Sequence, residues 1–227
     1  MKLAQNRISR HLCLLLLGAT TGACTPAGHH GLTGSVTDID GNRYRTVTIA
    51  GKTWMSENLR VGRYRNGEPI PEVRDPKAWG ELKSGAWSAY DLRDENGTTY
   101  GKLYNWHAVN DPRGIAPEGW HIASDREWAE LVEATGGEQL AGIGLKAAGK
   151  WSGSPESRPT GFDALPAGAR RDIDGGFRML GQFARFWTST AAGETKAIAR
   201  AIGFYDDAVR SGDVKKENGF SVRCVKE

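Results

Sequence analysis

The chain has 227 residues with 30 Lys and Arg against 27 Asp and Glu, a formal charge of +3. The first 23 residues hold Lys2, Arg7 and Arg10 and no acid, so the remainder balances at 27 basic and 27 acidic residues, which argues against a nucleic-acid binder. With 39% hydrophobic and 25% charged residues, wholesale disorder is excluded, and about 190 residues of candidate domain suffice for one core.

In chain order, the first element is an address. A basic stretch from Met1 to Arg10 precedes the apolar run Leu12 to Ala19, then the small residues Thr21-Gly22-Ala23 and Cys24. This is the order of a secretory signal, 1–23, and its apolar run is too short to span a bilayer. Cys24 after Gly22-Ala23 resembles a lipobox, although Thr21 stands where Leu or Val is usual. Lipidation of Cys24 is the expectation; simple cleavage after Ala23 is the alternative. Acyl chains would anchor the chain by about 0.8 kcal/mol per buried methylene. Residues 24–35, with His29 and His30, read as a flexible spacer. Cys13 leaves with the leader, so Cys224 is the one remaining thiol of the domain and no internal disulfide can form.

The domain is expected over 36–227. Asp38 to Asn42 imitates a calcium loop, but Arg43 stands where the pattern needs Gly, and a turn is the simpler reading. Arg43 to Ile49 and Lys52 to Met55 form a hairpin around Ala50-Gly51. The stretch Lys77 to Asp94 carries Trp79, Trp87 and Tyr90 among glycines and polar residues. Flat rings beside Asp91, Arg93 and Asp94 are the ingredients of a shallow carbohydrate site. The competing reading is that both tryptophans pin a long loop to the core.

A short helix is expected over Tyr104 to Asn110. The clearest helix runs from Ser124 to Thr135: Ser124 and Glu127 make a capping box, Trp128, Leu131, Val132 and Thr135 share one face, and Gly136-Gly137 ends it. Gly142-x-Gly144-x-x-Ala147 mimics a dinucleotide fingerprint but lacks the strand before it. Beyond Trp151 the chain reads as short strands broken by Gly and Pro. The last is half-buried, with Phe220, Val222 and Cys224 inward and Ser221, Arg223 and Val225 outward.

Six strings recur in this order in one family: WMSENLR (Trp54 to Arg60), YGKLYNWHAV (Tyr100 to Val109), PEGWHIASDREW (Pro117 to Trp128), GFDALPAGARR (Gly161 to Arg171), FWTST (Phe186 to Thr190) and GFSVRCVKE (Gly219 to Glu227). The chain resembles the Fibrobacter succinogenes major paralogous domain over residues 36 to 227. The resemblance implies a secreted or lipid-anchored bacterial protein with a C-type lectin-like fold, similar to that of formylglycine-generating enzymes. In that fold the first and last strands pair. It also implies a departure: many members have Cys where Ala116 stands, pairing with the one matching Cys224. Without that bridge, the packing of Trp120, Trp128 and Trp187 must suffice.

Chemistry is sparse. His107 and His121 are the only histidines after the spacer. No nucleophile elbow occurs, and a lone Cys224 cannot supply the paired thiols of a copper site. Glu57 and Asn58 are expected to cap or bridge backbone. The sequence therefore predicts an α+β fold: a single C-type lectin-like domain with short antiparallel strands, one or two helices and long loops. The expected function is a non-catalytic binding module of the cell envelope, outer membrane or cell surface. It would take a carbohydrate or a surface protein, and no cofactor, metal or nucleic acid. A structural or assembly component is the alternative, and a hydrolytic enzyme the least supported. Exposure of Trp79 and Trp87 discriminates between the first two.

Overall fold

A computed structural model describes residues 32–153 and 157–226; the leader, Cys24, His29 and His30 lie outside the described residues. The first sheet has five strands. β1 (Leu32–Thr37), β2 (Arg43–Ile49) and β3 (Lys52–Met55) form an antiparallel meander, followed in space by β13 (Cys224–Lys226) and β6 (Trp120–Ile122). Ala50 and Gly51 turn the β2–β3 hairpin with φ of 51° and 77°, as a primed two-residue turn requires. The spacer is shorter than expected, because residues 32–35 belong to β1. The open edge of β2 offers unpaired backbone, and this polar segment takes it, with Ser35 opposite Arg45.

The last strand does not pair with the first. Val225 faces Trp54 of β3 on one side and His121 of β6 on the other. The N-terminal meander thus meets the C-terminus through its third strand.

A second sheet, of four strands, has the order β11 (Val209–Lys215), β10 (Lys196–Gly203), β9 (Phe183–Ala191) and β12 (Ser221–Val222). Two strand pairs complete the fold: β4 (Trp87–Ser88) with β5 (Leu103–Tyr104), and β7 (Ala169–Arg170) with β8 (Phe177–Arg178). Most pairing is antiparallel; β12 runs parallel to β9. Five short α-helices are described rather than one or two: α1 (Pro76–Gly80), α2 (Asp94–Tyr100), α3 (Trp106–Val109), α4 (Asp125–Ala134) and α5 (Ala141–Leu145). Only α4 exceeds two turns, because only there does the apolar period run long enough. Its capping box forms as read.

The strands bury both faces, into two different clusters. Tyr44, Met55, Trp187, Val222 and Cys224 belong to one cluster, and Val47, Trp54, Phe186 and Val225 to the other. In the second cluster Trp54, Trp128, Phe162 and Phe186 meet mostly edge to face, with centroids 5.0 to 6.2 Å apart.

This arrangement corrects the half-buried reading of the last strand. Its alternation is real, but Ser221, Arg223 and Val225 are buried too. The chain crosses between the sheets there, and Arg223 fills the crossing. It donates to Asn58 Oδ1 at 2.7 Å and to the carbonyls of Met55, Phe162 and Asp163 at 2.5 to 3.0 Å.

Candidate functional site

The aromatic stretch divides in the structure, and only two of its six candidate residues converge. Trp79 is fully buried. Asp75 caps α1 by accepting from the Ala78 amide, and Pro76 opens the helix. This turns the indole under the Arg170 guanidinium, 4.3 Å from the ring centroid. Arg170 in turn donates to the carbonyls of Val73, Arg74, Asp75 and Gly175, tying α1 to β7. Gly219 makes the room: a Cβ there would lie 2.8 Å from the indole. Trp79 is thus a loop pin, the competing reading of this stretch, and does not join the candidate ligand-binding residues.

Tyr90 is buried against Phe177, with centroids 5.2 Å apart, and its hydroxyl accepts from the Leu180 amide. Asp91 is exposed at a left-handed turn, φ 53°, and Arg93 is exposed just before α2. Neither lines the cavity that Trp87 and Asp94 share.

That cavity has a volume of about 300 Å³. Trp87 is half-buried, and its indole N–H donates to the Ile70 carbonyl at 2.9 Å, which fixes the ring plane. Lys102 lies across the ring, its Nζ 3.6 Å from the centroid. Among the described residues the ammonium has no hydrogen bond or ion pair. Burial lowers its pKa, and the nearby charges of Asp40, Glu72, Asp38 and Asp94 oppose that shift. Asp94, Asp40, Asn42 and Arg60 complete the rim. Asp38 takes no part, because the turn consumes it: it accepts from the Asp40 and Asn42 amides, the Asn42 side chain and the Tyr44 hydroxyl. That is the expected turn rather than a calcium loop.

A larger cavity of about 500 Å³ adjoins this one and shares Arg60 and Thr98 with it. Three of the sequence strings meet here, through Ser56 to Asn58, Tyr100 with Gly101, and Asp163 with Leu165. Glu57 and Asp163 both pair with Arg45, at 3.1 and 3.4 Å. Glu57 also accepts from the Arg45 amide, and Asn58 donates to the Tyr100 carbonyl, so both bridge backbone as read. Ser56 is buried, lines this cavity, and its Oγ has no hydrogen-bond partner. Sequence reading missed Ser56, Arg60 and Lys102 as a group. Their strings were visible, but only the fold brings Trp54 to Arg60 beside Tyr100 to Lys102.

The histidines take separate carboxylates. His121 Nε2 lies 2.9 Å from Glu127, and His107 Nε2 lies 3.8 Å from Glu217. Among the described residues no group of three or more His, Cys, Asp or Glu could hold a metal ion. Gly142 and Gly144 sit in the five-residue α5, where Gly142 packs against Asp207 backbone, so their spacing serves helix packing rather than a phosphate loop.

The family model described as Fibrobacter succinogenes major domain matches residues 47–226, from β2 to the last strand. The chain belongs to that family. In this Fibrobacter succinogenes major domain the adjoining cavities are thus built from matched residues and from Asp40, Asn42 and Arg45 just before them. No curated protein and no solved structure matches the chain. Among the described residues, no helix is long and apolar enough to cross a membrane.

Proposed function

We propose that this protein is a non-catalytic binding module of the bacterial envelope, a C-type lectin-like domain tethered through Cys24, that takes carbohydrate in the adjoining cavities at Trp87 and Ser56. The observation that carries this reading is the unpartnered Lys102 ammonium over the half-buried Trp87 ring. A sugar needs a flat apolar face with polar groups beside it. Lys102 stands over one face of Trp87, so the sugar would take the uncovered part of the ring, with the Lys102 ammonium, Asp94 and Asn42 as donors and acceptors beside it. The next sugar unit would reach Glu57 and Asp163 at their Arg45 pairs across Arg60. The C-terminal strand joins the N-terminal meander at β3, and α4 packs against β9 and β10 of the second sheet; this meeting of the two ends of the domain supports the lectin-like assignment, although β1 itself is not the partner.

The test is calorimetry and tryptophan fluorescence of the full-length protein against plant, host and bacterial polysaccharides. We expect saturable binding, weakened at least tenfold in Trp87→Ala and in Lys102→Ala with little change in melting temperature. A folded protein that binds none of them would sink the carbohydrate reading.

The burial of Trp79 favours a second reading, a structural or assembly component of the envelope. Cross-linking on intact cells would then return a protein neighbour in place of a glycan.

A further inference from the structure

A third cavity, of about 480 Å³, shares no lining residue with the pair above. Its most unusual member is Arg185 on β9. The guanidinium carbon lies 5.7 Å from the Phe220 ring centroid and 5.8 Å from that of Phe183. Among the described residues the Arg185 guanidinium makes no hydrogen bond or ion pair. Burial lowers its pKa, and the influence opposing this comes from Tyr205 rather than from a carboxylate.

The other charges in the lining are already shared. Arg171 and Arg178 both reach Asp174, at 3.5 and 3.2 Å, and Asp172 pairs with Lys215 at 3.2 Å. Ile173 and Met179, two of the few large apolar side chains left exposed, also line the cavity. The result is a partly apolar space, with Asn218 and the already paired Arg171, Asp172 and Arg178 in its wall, where the Arg185 guanidinium alone keeps five donors without an acceptor.

Partly buried polar groups are normally partnered, and a desolvated charge without a partner is costly. A guanidinium fits a carboxylate in bidentate geometry, better than a point cation does. Apolar walls beside it require an apolar body on the same ligand, and the volume suits a small molecule or one end of a chain.

We propose that this cavity is a second binding site, specific for an organic carboxylate attached to a compact apolar group. Arg185 takes the carboxylate, Phe183 and Phe220 hold the guanidinium in place, and Ile173 and Met179 cover the apolar body. Two sources present this chemistry: a free small acid, and the terminal carboxylate of a polypeptide that ends in an apolar residue. The site does not depend on the carbohydrate reading, since it shares no residue with it.

The probes are 3-phenylpropionate and an acetylated Ala-Ala-Ala-Phe peptide with a free carboxy-terminus, each beside its amide. They are titrated into the full-length protein and followed by calorimetry and by the Arg185 Nε–H resonance. We expect saturable binding of at least one acid, a shift of that resonance, and at least tenfold weaker binding of the amide. Arg185→Gln should weaken the acid at least tenfold while retaining the circular dichroism of the parent. Tighter binding of the peptide assigns the site to a polypeptide terminus, and tighter binding of phenylpropionate to a free acid. Equal affinity for acid and amide, or an unmoved Arg185 resonance at saturation, overturns the proposal. Should Arg185→Gln fail to fold, the acid and amide comparison on the unmodified protein decides it alone.

Discussion

Glu127 does three jobs with one carboxylate. It accepts from the Ser124 amide and hydroxyl, closing the capping box of α4, and it meets His121 Nε2. Burial alone would raise its pKa. The Ser124 hydrogen bonds and the His121 contact outweigh burial and hold it at about 2. A depressed carboxyl pKa stabilises the fold above the unfolded value of about 4.3 and loses that contribution as pH falls toward 2. Glu127→Gln should therefore cost about 1–2 kcal/mol at pH 7, by urea unfolding, with little difference from the parent at pH 2. A gap that persists unchanged at pH 2 would show that the charge is not what matters. Arg223 shows the opposite strategy, a buried cation held by carbonyls and one amide. Asp163 and Glu57 act on it only at longer range, against the burial that lowers its pKa.

Among elements, α1 depends most on a residue far from it in sequence. Its five residues cannot persist alone. It is seated by Trp79 under Arg170, and that seat exists because Gly219 has no side chain. Gly219→Ala should destabilise the protein by about 1–3 kcal/mol, since the new methyl must displace Trp79 or Arg170. Near-UV circular dichroism should change with it. Full retention of both melting temperature and signal would mean that the loop adjusts freely. The hairpin and α4 depend less on context: their turn, cap and period are local, and both form where the residues indicate.

At the scale of the whole molecule, the first core cluster holds together without a disulfide among the described residues. Ala116 and Cys224 belong to one cluster, and burial pushes the Cys224 thiol up to about 12. Arg65 links their surroundings, donating to the Ala116 carbonyl while its charge acts on Cys224. The family resemblance implies that Ala116→Cys would form a bridge to Cys224 under oxidising conditions. Closing a loop of roughly 100 residues should stabilise by about 2–4 kcal/mol. Loss of both titratable thiols with a higher melting temperature is the expected result; two free thiols after oxidation would refute it. Trp120 and Trp187 are buried in the same cluster as Ala116 and Cys224, and Trp128 is buried in the other.

Local chemistry made much of this legible. Ala50-Gly51 needs only its own φ angles, Ser124 and Glu127 are three residues apart, and Trp128 was recognisable as core by its helical period. The family was legible too, because six strings in fixed order carry more information than any one of them. The candidate site was gathered only in part: Trp87 and Asp94 line one cavity, while Trp79 and Tyr90 turn inward and Asp91 and Arg93 stay on the outside. Whether a tryptophan in a loop faces water depends on what lies behind it. Here that is Arg170 and Gly219, distant in sequence. The same holds for Arg223, outward by alternation and buried because a second sheet covers it, and for Arg185, ordinary in sequence and alone among aromatic rings in space. The sequence by itself determined the hairpin, the capped helix and the family, because short-range geometry suffices for them. Only the tertiary structure decided which polar groups lack partners, because a partner is a matter of distance across the fold.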